Sequence, residues 1–108
     1  MSDGKQPTLR LDKFLWHARF FKTRSQAAAF VDRGRLRLDG VPVSRAHQPV
    51  RVGSVLTFPL GPRIRVVRVL ALGARRGPAT EARTLYEDLS AAGESRPDGQ
   101  KAPENGME

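Results

Sequence analysis

The chain has 108 residues, enough apolar material for one core, and its 39% hydrophobic and 28% charged residues, with a mean hydropathy of -0.46, leave no run near the ~18 apolar residues of a membrane span. Zero cysteines exclude disulfides and thiolate metal sites, and the polar stretch Met1 to Thr8 lacks a signal-peptide pattern, so a cytoplasmic setting is expected. The net charge of +8 calls for a polyanionic partner, and it is unevenly spread: residues 9–76 hold 15 Lys and Arg against three Asp, whereas residues 77–108 hold three basic residues against seven acidic ones.

In chain order, residues 1–8 read as a disordered lead. Leu11, Phe14, Leu15 and Ala18 then fall at i, i+3, i+4 and i+7, the apolar face of a first helix, with Asp12, Lys13, His17 and Arg19 assigned to its polar side and Trp16 off the stripe. Thr23 followed three residues later by Gln26 has capping-box form and starts a second helix, which Gly34 ends just past Arg33. So short a connection makes the two helices a packed pair. The period then changes to two: Leu36 and Leu38 lead into Asp39-Gly40, a tight hairpin turn, and Val41 and Val43 return. Further strand material runs from Val50 to Phe58, interrupted by Gly53 and Pro59, and resumes over Arg63 to Leu70. Pro78 suits a first helical turn, and Ala82, Leu85, Tyr86 and Leu89 mark a short third helix. From Ser90 onward the tail is acidic, poor in large apolar residues and expected to be disordered. The fold class is thus α+β: two short packed helices, a small mostly antiparallel sheet and a short C-terminal helix, with boundaries at 1–8, 9–72, 73–89 and 90–108.

Catalysis finds no support in these residues. The histidines, His17 and His47, lack metal-ligand spacing, a lone histidine being more often structural, and no serine sits in a nucleophile-elbow context. No catalytic residue, metal or cofactor is expected. The helix pair differs, because Lys22, Arg24 and the hydroxyls of Thr23 and Ser25 gather at the start of the second helix, where free amides and the macrodipole attract phosphate. Arg10, Lys13 and Arg19 extend that surface from the first helix, and Arg33 and Arg35 flank the turn into the sheet. Phosphate contacts fix affinity and orientation without reading bases, which predicts recognition of RNA by shape. Arg pairs bidentately with phosphate, so the excess of Arg over Lys suits the role, although a GC-rich genome produces the same bias.

The segments Arg10-Leu11-Asp12-Lys13-Phe14-Leu15, Thr23-Arg24-Ser25-Gln26-Ala27 and Gly34 to Val43, in this order and spacing, resemble the RNA-binding domain of ribosomal small-subunit protein four, with its alpha-L motif of two helices and a hairpin. Asp39 stands where that family usually has Asn, and Ser54 where it often has Asp. Within the domain class, Leu15-Trp16-His17-Ala18-Arg19-Phe20-Phe21-Lys22-Thr23-Arg24 and Arg76-Gly77-Pro78-Ala79-Thr80-Glu81-Ala82 look like the heat-shock protein 15 family, over residues 9–89. The resemblance implies an RNA-facing surface of Arg10, Lys13, Lys22, Thr23, Arg24, Ser25, Gln26, Arg33 and Arg35. It further implies a stand-alone module, expected to be a monomer, that binds ribosomal RNA of the large subunit, with transfer RNA nearby, in rescue of stalled subunits. A DNA-binding regulator and a permanent ribosomal protein are the alternatives; Ala27 to Ala29 give the first little with which to read bases. Trp16 is expected to pack against the third helix around Leu85 and Tyr86, base stacking being its rival role.

Overall fold

A computed structural model describes residues 6–90; residues 1–5 and 91–108, and the disorder expected there, lie outside the described residues. The elements are β1 (Leu9–Arg10), α1 (Leu11–His17), α2 (Arg24–Asp32), β2 (Leu36–Leu38), β3 (Val41–Val43), β4 (Pro49–Val50), β5 (Val55–Leu60), β6 (Arg63–Val69), α3 (Ala79–Ala82), a 3-10 turn (Arg83–Leu85) and β7 (Tyr86–Asp88). β1 and β4 pair as a small antiparallel ribbon, and the other five strands form an antiparallel sheet in the order β3-β2-β5-β6-β7.

The helix pair follows the sequence pattern closely. Leu11, Phe14, Leu15 and Ala18 are all buried, and they meet Ala27 and Val31 of α2 and Leu36, Leu56, Phe58, Val67 and Val69 of the sheet in one core. Burying each of the larger side chains stabilises the fold by roughly 1.5–3 kcal/mol. α1 ends in a Schellman motif: the Arg19 amide donates to the Trp16 carbonyl and the Phe20 amide to the Leu15 carbonyl. This places Arg19 at φ +66°, a left-handed conformation that glycine usually supplies. α2 starts where Thr23 Oγ1 accepts from the Gln26 amide at 3.0 Å, and ends at Gly34, φ +77°. In the β2–β3 hairpin both Asp39 (φ 52°) and Gly40 (φ 84°) are left-handed, giving the two-residue type I′ turn.

Four details depart from the sequence reading. Asp12 and His17, placed on the polar side of α1, are each only 2% exposed: the Asp12 carboxylate is enclosed by Arg10, the Lys13 amide and Arg24, and the His17 ring faces the Leu72 carbonyl. Pro59 does not break β5, which runs to Leu60; β2 pairs with β5 only at Leu56 and Thr57, so a missing amide at Pro59 interrupts no ladder on that side. The helical spacing of Ala82, Leu85, Tyr86 and Leu89 is used only as far as Leu85. Tyr86–Asp88 is instead an edge strand on β6, held by ion pairs Arg68–Glu87 (2.8 Å) and Arg65–Asp88 (2.7 Å). Finally, the ring meeting Tyr86 is Phe20, centroids 4.7 Å apart, while half-buried Trp16 has its ring 5.6 Å from that of His17.

Candidate nucleic-acid interface

The N-terminal end of α1 is closed by protein groups. Its Leu11 and Asp12 amides donate to the carbonyls of Gln48 (2.9 Å) and Ala46 (3.1 Å), and the Arg10–Pro49 register of β1 with β4 holds the Ser44 to Gln48 loop in place. No phosphate is needed there. The buried Asp12 carboxylate instead organises cations: it accepts from Arg10 Nε (3.1 Å) and Nη2 (3.0 Å), and Arg24 Nε lies 3.5 Å from Oδ2. One carboxylate thus fixes an arginine from each side of the helix pair while both guanidinium groups remain more than two-fifths exposed. The hydrogen bonds that Arg10 donates to Asp12 hold its guanidinium above its ordinary pKa, so it is fully charged.

The start of α2 is open. Thr23 satisfies the Gln26 amide through its hydroxyl and the Ala27 amide through its carbonyl, leaving the Arg24 and Ser25 amides without a partner among the described residues. Exposed Lys22, Thr23, Ser25 and Gln26 surround them. Arg33 and Arg35 lie at the other end of α2, ~13 Å along its axis. They are nevertheless connected to the first group, because a Cβ on Gly34 would lie 3.8 Å from that of Ser44, and the loop continues from Ser44 through Arg45 to the Ala46 carbonyl that caps Asp12. The surface therefore runs from Arg33 and Arg35, past Arg45, to Arg10, Lys13, Arg24 and Lys22. Arg45 was missed in the sequence; only the long-range pairing of β1 with β4 brings it here.

Arg19, included in the predicted surface, stands elsewhere. Its Nε donates to the Gly77 carbonyl at 2.7 Å, linking the end of α1 to the segment before α3. That segment is itself clamped: Arg75 pairs with Glu81 through Nε (3.3 Å) and Nη2 (2.8 Å), and the Glu81 carboxylate presses on Gly77 so closely that a Cβ there would meet it at 2.5 Å. The hydrogen bond from Arg75 holds the Glu81 carboxyl below its ordinary pKa. His17 is part of the same seam, with Nδ1 3.3 Å from the Leu72 carbonyl. The residues of the Arg76 to Ala82 signature are thus explained by docking. They bind the C-terminal segment to α1. Beside this seam lies a cleft of about 200 Å³ lined by Arg19 and Phe20, Leu60 and Arg65, and Ala79, Ala82, Arg83 and Tyr86, closed below by Ala18.

The S4 domain family matches residues 9–56, from β1 into β5. Heat shock protein 15 of Escherichia coli K12 is 39% identical over 96 residues, covering 89% of this chain and 71% of that protein. The chain belongs to the heat shock protein 15 family. The family's fold is likewise found: the trimeric structure of Vibrio cholerae heat shock protein 15 superposes with a TM-score of 0.75 at 28% identity, covering 90% of this chain and 98% of that one. A more distant relative, the RQC P-site tRNA stabilizing factor of Listeria innocua, is 31% identical over 83 residues, covering 75% of this chain and 89% of the relative. At the level of the domain, this heat shock protein 15 family member is an RNA-binding protein. Among its described residues no helix is long and apolar enough to cross a membrane.

Proposed function

We propose that the chain binds ribosomal RNA of the large ribosomal subunit and acts in the rescue of stalled subunits that still carry a nascent chain on transfer RNA, in the cytoplasm. The observation that carries the RNA contact is the fixed set of cations around buried Asp12 next to the two unpartnered amides of Arg24 and Ser25. Backbone amides and guanidinium groups converging on exposed surface form a phosphate site, and their spread across two helices and a loop suits a folded RNA. Arg10, Lys13, Lys22, Thr23, Arg24, Ser25, Gln26, Arg33 and Arg35 make this contact, with Arg45 at its centre. The family supports the ribosome as the source of that RNA, and the name of the Listeria relative supports a site near transfer RNA.

Lys22→Glu and Arg45→Glu, both at exposed positions, test the surface. Each should weaken binding to rRNA fragments uniformly across sequences and lower the salt slope by about one. Unchanged affinity in both variants would remove the surface from consideration. Crosslinking to intact ribosomes tests the rest: the expected product is on free large subunits holding peptidyl-tRNA, whereas equal labelling of all ribosomes in every growth state would favour a permanent ribosomal component. Light scattering separates the monomer expected from sequence from a trimer like that of the Vibrio relative.

A further inference from the structure

The cleft beside the C-terminal segment is lined by three arginines and two aromatic rings, and no carboxylate is among its lining residues. Two of its walls, Leu60 and Arg65 of the β5–β6 hairpin and the stretch from Ala79 to Tyr86, lie beyond the residues that match the S4 domain. Phe20 and Tyr86 form its aromatic side, with ring centroids 4.7 Å apart, and Arg65 covers Phe20 with its guanidinium carbon 5.3 Å from the ring centroid. Arg65 is neutralised by Asp88. Arg83 is exposed and has no partner among the described residues, and Arg19 uses only Nε on Gly77, leaving its two amino groups open. Aromatic surface flanked by uncommitted guanidinium groups suits a planar, anionic ligand, and a nucleotide joins those two properties.

We propose that this cleft is a second RNA site, which takes a single unstacked nucleotide, its base against Tyr86 and its phosphate on Arg83 and the amino groups of Arg19. The proposal rests on the RNA reading of the helix pair and extends it. Phe20 is three residues from Thr23, so the cleft lies within ~11 Å of chain from the phosphate site at α2, and one RNA strand can engage both. Its function is discrimination. The helix pair grips any suitably shaped backbone, whereas the cleft rewards an RNA with a base free to leave its stack.

The test uses the full chain and two RNA hairpins that differ by one bulged 2-aminopurine nucleotide. The wild-type protein should bind the bulged hairpin about fivefold or more tightly than the fully paired one, with quenching of the 2-aminopurine, a scale set by stacking on aromatic side chains. Arg83→Glu and Tyr86→Leu should abolish the preference and the quenching while leaving the paired hairpin bound as before. The second variant keeps an apolar group against Phe20. Equal binding of the two hairpins by wild type, or a preference that survives both variants, overturns the cleft and leaves the helix-pair site standing. Failure to bind either hairpin overturns the RNA reading itself. Displacement of the quenched base by poly-glutamate at equal charge would show a site for acidic peptide and overturn the nucleotide assignment.

Discussion

Asp12 sits between two cations, and its replacement by Asn keeps the shape while removing the charge that orients Arg10 and Arg24. The expected result is RNA affinity lower by roughly three- to tenfold, the scale of a charge-assisted hydrogen bond, with the circular dichroism spectrum retained. Were Asp12 only an offsetting charge, its neutralisation would tighten binding instead; filter binding distinguishes the two signs. Glu81 poses a pH question. Its carboxyl is held below its ordinary value by Arg75, so the clamp's stabilisation is fully present above the unfolded-state pKa and is lost as pH falls through the lowered folded value. Glu81→Gln should flatten that acid limb in a pH series of thermal melts. Gly77→Ala should loosen the same contact at every pH, since the Glu81 carboxylate must shift to admit a methyl group.

Among the elements, α2 depends most on one hydroxyl. Thr23→Ala removes the cap on Gln26 and should cost ~1 kcal/mol in denaturant unfolding, with weaker RNA binding because the adjoining free amides lose their fixed direction. This helix was legible because its signals are local: a cap, an apolar face and a terminating glycine within a dozen residues. The hairpin was legible for the same reason, Asp39-Gly40 being a short-range turn signal. Asp39 also has a role that no local pattern carries, its carboxylate accepting from the Val55 amide at 2.9 Å and joining the turn to β5. The same limit explains Asp12, His17 and Tyr86. Each has polar character that a helical wheel assigns to solvent, or spacing that it assigns to helix, and each is placed by a partner distant in sequence. Of the candidate interface, the open start of α2 was legible as geometry, and the place of Arg45 beside it was not.

Across the whole molecule, the opposite charges of the two parts of the chain meet. Among the described residues Glu81, Glu87 and Asp88 pair with Arg75, Arg68 and Arg65, none of which belongs to the cation set proposed to face RNA. Replacing Glu87 by Gln and Asp88 by Asn should release the β6 arginines and raise non-specific RNA binding, with a salt slope steeper by up to about two. An unchanged slope would mean that β6 stays off the RNA in either state. The ribbon of β1 with β4 has a consequence for synthesis. Arg10 emerges well before its surroundings are finished, because the Ala46 and Gln48 carbonyls that seat α1 arrive only with Pro49 and Val50. A protein that grips RNA and is born on a machine made of RNA thus carries its basic helices first and their binding geometry some forty residues later, an interval in which the growing chain has the charge for the ribosome beside it but not the shape.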